Sequence, residues 1–376
     1  MSAIITEVNV ATTVLELPRP LQLGAMTVER REYSAVEIVT AGGQRGKAYC
    51  LTRETPMSEI VQRLFANRLI GEVIENIPDL WDSLYRASAI VGRVGLVRRA
   101  LGLVDIALWD LVTQMNGISL STHLAKRPSH VKPKRAAMGA VGPSERALLV
   151  AAYPTSDRKA REVANEVLSH AAEGWSLLKI ARSPDTVLMK QLLGILAAEL
   201  PAGCDVVVDV GFGWKNSDQA LSEITQWGDL SLAWLEDPLL PEDVDGIARI
   251  RRETGLSIGV GDEVTDPELL HRLVDSGAID VLRLDVVALG GITPSLELIR
   301  WANQKSIPIS GHIYPEVTVH LGIGVETFPR HAGPYDPSPS FIIGGPTFRA
   351  GVVSPPTAAG LGFALDPEIF HFSKAK

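Results

Sequence analysis

Asp205-Val206-Val207-Val208-Asp209 and Leu232-Ala233-Trp234-Leu235-Glu236 are short apolar runs that each stop on a carboxylate, with a helix-like stretch between them. The unit recurs on both sides. Apolar runs fall at 135–141, 176–181, 205–210, 232–236, 256–260, 281–286, 307–311 and 322–326, separated by segments whose apolar residues keep a helical spacing. Strands alternating with helices over this span predict βαβ units closed into a parallel α/β barrel, a fold that needs ~250 residues with its loops.

Upstream the period changes. Residues 1–50 alternate apolar and polar positions, as in Ala35-Val36-Glu37-Ile38-Val39, and predict a small antiparallel sheet with a turn at Gly42-Gly43. From 57 to 117 the spacing is helical, most clearly over 97–112, and Gly117 closes it. The chain thus divides into an α+β unit at 1–127 and a barrel at 128–350, entered through the polar linker 127–134. A Pro/Gly-rich segment at 351–376 is expected to pack back on the first unit.

Composition narrows the function. The 376 residues carry 36 Lys+Arg against 44 Asp+Glu, a net charge of −8, with no basic stripe of the kind that neutralises nucleic-acid phosphates. No window reaches ~18 uninterrupted apolar residues, and the first residues lack a basic stretch before an apolar run. Neither nucleic acid nor a membrane is an expected partner, and the reading is a soluble, cytoplasmic protein. Cys50 and Cys204 form no CxxC pair, so no disulfide framework or thiolate metal site is indicated.

Six chemistry-bearing residues stand where apolar runs stop: Lys179, Asp209, Glu236, Asp262, Asp285 and His312, at intervals of 30, 27, 26, 23 and 27 residues. Each interval approximates one strand-helix-strand repeat. In a barrel such strand ends converge on the face where active sites are built. One charged residue there would read as a solvated loop residue; six in phase do not. Asp209, Glu236 and Asp262 offer only hard carboxylate oxygens, which suits Mg2+, with Mn2+ as a substitute, and argues against Zn2+. Glu263, beside Asp262, is the competing third ligand, since successive strand residues face opposite ways. Among the eight histidines only His312 directly follows an apolar strand, with Asp285 ending the strand before it. A carboxylate there would orient the ring and raise its basicity, making the pair a general base. No G-x-S-x-G elbow, phosphate-binding loop or dinucleotide fingerprint occurs. A divalent cation, Lys179 and a His-Asp pair fit removal of a proton from the carbon beside a carboxylate, the cation and lysine stabilising the enediolate charge.

These residues resemble the enolase superfamily, mandelate racemase subgroup, over nearly the whole chain. The resemblance is carried by Val104-Asp105-Ile106-Ala107-Leu108-Trp109-Asp110-Leu111, Val208-Asp209-Val210-Gly211, Trp234-Leu235-Glu236-Asp237-Pro238, Gly261-Asp262-Glu263, Asp285 before Gly290-Gly291-Ile292-Thr293, and Ser310-Gly311-His312. It implies a modified TIM barrel of the (β/α)7β type under an α+β capping domain whose loop near 17–30 closes over substrate. It also implies Mg2+ on Asp209, Glu236 and Asp262, an Asp285–His312 dyad, Lys179 and Glu326 at the substrate carboxylate, and assembly from several subunits. Arg19 and Gln22 of the loop are the expected specificity contacts.

One departure bears on the reaction. Many members carry Lys-x-Lys where this chain has Lys179-Ile180-Ala181, then Arg182. Alanine cannot carry a proton, and Arg182, a poor base, is read as a substrate contact. The loss of a second base favours a Mg2+-dependent dehydratase of a hydroxy acid, an acid sugar above all. The alternatives are a racemase or epimerase of a 2-substituted carboxylate, with Lys179 as second base, and a metal-dependent carboxylate binder without turnover.

Overall fold

The computed structural model describes residues 4–23, 26–126, 145–155, 157–228, 231–328 and 341–374. The linker 127–134, the run 135–141 and the side chains of Arg19 and Gln22 lie outside the described residues.

The first unit is an antiparallel sheet of β1 (Ile5–Leu23), β2 (Met26–Thr40) and β3 (Arg45–Leu51), extended on the outer edge of β1 by Ser373–Lys374 from the end of the chain. A helical stretch over 57–69 and a short helix at 120–125 flank two longer helices, α1 (Ile77–Ala87) and α2 (Leu96–Met115). Helix α2 is buried around its whole circumference between Arg98 and Leu111, because it lies between two partners. On one side a Cβ at Gly46 of β3 would fall 2.2 Å from the Ala107 carbonyl; on the other a Cβ at Gly102 would fall 2.4 Å from the Val287 carbonyl of the barrel. The absence of side chains at these two points lets the sheet, the helix and the barrel meet backbone to backbone.

The second unit has eight parallel strands: β4 (Glu145–Ala152), β5 (Leu177–Ala181), β6 (Asp205–Asp209), β7 (Leu232–Glu236), β8 (Ile258–Val260), β9 (Val281–Leu284), β10 (Ile309–Gly311) and β11 (Val325–Thr327). Neighbours pair in sequence order, β11 pairs with β4, and a Ser310–Gly324 bridge closes the ring. One helix crosses each gap between consecutive strands and, among the described residues, none leads back from β11 to β4, which is the (β/α)7β arrangement. The first strand is 145–152, a stretch not singled out in the sequence because its leading Glu145-Arg146 masks the apolar run behind it. Side chains of Asp185, Asn216, Asp243 and Asp266 accept hydrogen bonds from the first turn of the helix that follows each, fixing where four of the strand-to-helix loops end. Among the described residues no helix is long and apolar enough to cross a membrane.

The β1–β2 hairpin reaches past its own sheet to the barrel. Leu17 and Leu21 pack with Val150 and Tyr153 of the β4 end, and Ala181, Val28 and Phe328 adjoin this cluster.

Candidate active site

Register places the acidic residues. Asp209 and Glu236 are direct partners across β6 and β7, and Ala181 faces Asp209 across β5 and β6. Lys179, two residues before Ala181, shares its face and reaches up the barrel with its long chain. Its Nζ lies 3.0 Å from Asp209 Oδ2, 3.0 Å from Glu326 Oε2 and 3.9 Å from Asp262 Oδ2, and it also donates to Glu236 Oε1. Burial works against the ammonium, but Asp209, Glu236, Glu326 and Asp262 outweigh it and hold its pKa well above the usual lysine value.

A second buried cation, Arg283 of β9, is not among the residues the sequence singles out. Its Nε lies 3.1 Å from both Glu236 Oε2 and Asp262 Oδ1, Nη2 is 2.5 Å from Glu326 Oε2, and Nη1 donates to Ser310 Oγ at 2.7 Å. The period-2 rule of a strand could have found it, since it precedes Asp285 by two residues and so shares its face.

The three expected ligands share one geometry. Asp209 Oδ1 accepts from the Gly211 N–H at 2.9 Å, Glu236 Oε2 from Trp234 Nε1 at 2.8 Å, and Asp262 Oδ1 from Arg283 Nε at 3.1 Å. The opposite oxygen of each is turned to one shared centre, at which Lys179 Nζ stands. Hard oxygen donors from three strands converging on a point that already holds a cation fit a divalent ion. The charge balance agrees. Asp209, Glu236, Asp237, Asp262, Glu263, Asp285 and Glu326 face only Lys179, Arg283, Arg53 and Arg99, besides His312, among the described residues. Burial pushes Glu236 up to about 7 and Asp237 well above its usual range, the rise at Asp237 aided by Asp262, Glu236 and Asp209, as expected of a site with more negative charge than its own cations offset.

His312 lies at this cluster, with Nδ1 2.8 Å from Asp262 Oδ2 and 3.5 Å from Glu326 Oε1, and Nε2 3.5 Å from Glu263 Oε1. Neither nitrogen has an aligned hydrogen-bond partner. Burial alone would lower its pKa, but Asp262 foremost, with Glu263 and Glu326, raises it well above the usual histidine value. The anticipated Asp285–His312 hydrogen bond is not made. Asp285 Oδ1 instead accepts the N–H groups of Val287 at 3.0 Å and Ala288 at 2.9 Å, while its buried Oδ2 lies 3.8 Å from Arg99 Nη1 without a hydrogen-bond partner. A side-chain oxygen of Asp285, a nitrogen of His312 and an oxygen of Glu263 still fall within 4.8 Å of one another.

Glu263 therefore belongs to the site together with Asp262, against the expectation that only one of the two faces inward. Strand β8 has ended at Val260, and Glu263 sits at φ +62°, so strand alternation no longer applies. Left-handed backbone recurs at Asp237 (φ +43°) and Ile313 (φ +42°), each directly after a site residue, and such non-glycine strain is found where a function holds it. Glu263 pairs with Arg53 from the end of β3 and with Arg99 from α2, two further residues that stand at no strand end of the barrel. The available signal for Arg99 is that it stands in a mainly apolar helix whose few charges, Arg98, Arg99, Asp105 and Asp110, have no solvent face of their own.

Arg182 does not reach the acidic cluster. Its Nε and Nη2 donate to Glu223 at 2.7 and 2.5 Å, and the guanidinium lies 5.4 Å from the Trp214 ring centroid. It borders a cavity of about 570 Å³ at the β4 and β5 ends, lined also by Leu21, Tyr153, Ala181 and Ser183. His320 is buried between Ser121 N, 3.2 Å from Nδ1, and the Leu361 carbonyl, 3.0 Å from Nε2.

Known proteins share this organisation. Residues 160–369 match the family described as enolase C-terminal domain-like, and residues 5–124 match the N-terminal domain of mandelate racemase/muconate lactonizing enzyme. A 3,6-anhydro-alpha-L-galactonate cycloisomerase of Streptomyces coelicolor is 27% identical, over 96% of this chain and 97% of that protein. A D-galactarolactone cycloisomerase of Agrobacterium fabrum is 24% identical, over 96% and 93%. The crystal structure of an L-talarate dehydratase from a Polaromonas species, complexed with Mg and L-glucarate, superposes with a TM-score of 0.82 at 24% identity, covering 99% of this chain and 98% of that one.

Proposed function

Because this chain belongs to the mandelate racemase/muconate lactonizing enzyme group of the enolase superfamily, we propose that it catalyses a one-base β-elimination on an acid sugar, removing the proton at C2 and expelling the oxygen at C3. The carrying observation is an asymmetry. Of the two candidate bases, Lys179 is ringed by four carboxylates that keep it an ammonium, and position 181, where a second amine would stand, is an alanine against the apolar hairpin cluster. Of the two, His312 is the one that offers a buried ring nitrogen without an aligned partner. Inversion at C2 needs bases on two faces; elimination needs one.

A divalent cation held by Asp209, Glu236 and Asp262 would bind the substrate carboxylate and offset the second negative charge that develops on it. Mg2+ is the ion this donor set favours, in keeping with the magnesium in the related dehydratase structure, with Mn2+ as a substitute. Lys179 adds a fixed positive charge beside the developing enediolate. His312 takes the C2 proton as general base, and the resulting imidazolium returns it to the departing oxygen. A cation offsetting the charge of Asp262 would weaken the pull that raises the pKa of His312, so that the imidazole would meet the substrate neutral and able to take the proton.

With a C3 hydroxyl as leaving group the reaction is a dehydration, the reading taken from the sequence. With a ring oxygen it opens a cycle, as the names of the two cycloisomerase relatives favour. The test is incubation of acyclic aldonic and aldaric acids, their lactones and anhydro forms, in D2O with Mg2+. A 2-keto-3-deoxy product without a C2 epimer supports the proposal. Formation of the epimer as main product sinks it in favour of a racemase, and neither change in favour of a binder.

A further inference from the structure

We propose that Arg283 determines which divalent cation this site accepts, by confining Asp262 to one donor oxygen; the proposal rests on the reading that Asp209, Glu236 and Asp262 form the cation site. Each carboxylate uses one oxygen for a protein donor and turns the other to the shared centre. For Asp209 the donor is the Gly211 N–H. For Glu236 it is Trp234 Nε1 at 2.8 Å, and for Asp262 Oδ1 it is Arg283 Nε at 3.1 Å, the same nitrogen forming an ion pair with Glu236 Oε2 at 3.1 Å. The guanidinium is completely buried and fixed at its far end by Glu326 at 2.5 Å and Ser310 at 2.7 Å, so the planar fork cannot swing away from the carboxylates.

Single-oxygen ligation matters because the two common hard cations differ in what they take. Mg2+ demands near-octahedral geometry from single donor oxygens, whereas Ca2+ gathers six to eight oxygens and readily takes a carboxylate through both. With Arg283 in place, Asp262 Oδ1 is engaged and two-oxygen ligation is blocked. Without it Glu236 keeps its Trp234 bond, but Asp262 is released. Removing the arginine also removes a positive charge, which strengthens the hold on any divalent ion alike. The ratio of affinities therefore separates orientation from charge.

Metal-stripped wild type, Arg283→Met and Arg283→Lys are titrated separately with MgCl2 and CaCl2 by calorimetry, with circular dichroism establishing folding. Wild type should prefer Mg2+, and in both variants the Mg2+/Ca2+ affinity ratio should fall by about tenfold or more, the size typical of outer-sphere partners of a metal site. Lysine keeps the charge but cannot hold three carboxylates in a fork, and it stands in if the methionine variant does not fold. A ratio unchanged within about twofold, a fall in the methionine variant alone while the folded lysine variant keeps the wild-type ratio, or a wild type without Mg2+ preference each overturn the proposal. Failure of the elimination reading shows elsewhere, as absence of product and deuterium exchange with wild type in D2O, and leaves the metal ratio standing.

Discussion

Asp105 of α2 takes both the backbone N–H of Thr293, at 2.9 Å, and its hydroxyl, at 2.6 Å, across 188 residues of chain. Thr293 opens the helix 292–305 of the barrel, so a residue of the capping unit caps a barrel helix. Trp109 Nε1 donates to the same hydroxyl at 3.0 Å. A Cβ on Gly291 would fall 2.3 Å from Asp105 Oδ2, so that glycine, at φ +107°, is what lets the carboxylate in. Replacing Asp105 with Ala leaves a buried N–H and hydroxyl without their acceptor and should cost about 2–4 kcal/mol. Urea unfolding at pH 5 measures it; a loss under about 0.5 kcal/mol would show that the domains are joined elsewhere.

The same carboxyl predicts a pH dependence. Burial pushes Asp105 from 3.8 up to about 7, against the lowering effect of its bonds from Thr293. The folded chain then holds this proton more tightly than the unfolded one, so its contribution is complete below about pH 4 and is lost as pH rises toward 7. A tenfold difference in proton affinity between the folded and unfolded chains corresponds to about 1.4 kcal/mol. Asp105→Asn has no proton to lose. Between pH 5 and pH 8 wild type should therefore lose stability relative to Asp105→Asn, by about 2 kcal/mol, in paired urea titrations. Parallel stability curves for the two proteins would mean that Asp105 stays ionised throughout.

His312→Asn removes the proposed base with little change of volume. Exchange of the C2 proton, followed by NMR in D2O, should fall by at least about 10²-fold, the lower range for loss of a general base. Folding and Mg2+ affinity should persist, because Asp209, Glu236 and Asp262 keep their own donors. Exchange at the wild-type rate would move the base to another residue, with Lys179 the first to examine.

What the sequence could and could not disclose follows from the kind of signal each residue emits. Lys179, Asp209, Glu236, Asp262 and His312 end apolar runs, and the structure brings them together with Glu326 around one centre. Arg283 lies inside such a run, where a charge reads as an interruption until the barrel closes around it. Arg182 also ends a run, yet it turns to Glu223 in the helix 217–224, a partner 41 residues away that no periodicity links to it. The shift from an expected Asp285–His312 bond to an Asp262–His312 contact depends on side-chain rotamers, which spacing along the chain does not encode. Likewise Gly290-Gly291-Ile292-Thr293 and Val104–Leu111 are legible as separate motifs, while their being one contact is visible only in three dimensions.

The hairpin gives the last prediction. Leu21 is fully buried, although it sits near the tip of β1–β2, because it packs with Leu17, Val150 and Tyr153 on the barrel mouth, with Ala181 alongside. Leu21→Ala deletes that anchor. A buried Leu→Ala change costs about 2–5 kcal/mol, and here the cost falls on hairpin docking, since the pairing of β1 with β2, Leu21 with Val28 included, is made by the backbone. At the lower figure the docking equilibrium constant falls by about 30-fold, which should raise KM for the acid sugar far more than it lowers kcat and should speed trypsin cleavage at Arg30 and Arg31. Ala181→Lys tests the same wall from the barrel side. A lysine side chain there crowds the Leu21 contact at the rim of the cavity that Ala181 also lines, which loosens the hairpin and raises KM as Leu21→Ala does, without producing a C2 epimer. A variant that instead epimerises its substrate at a wild-type rate would show that the face opposite His312 is open to a second base, and the one-base reading would go with it.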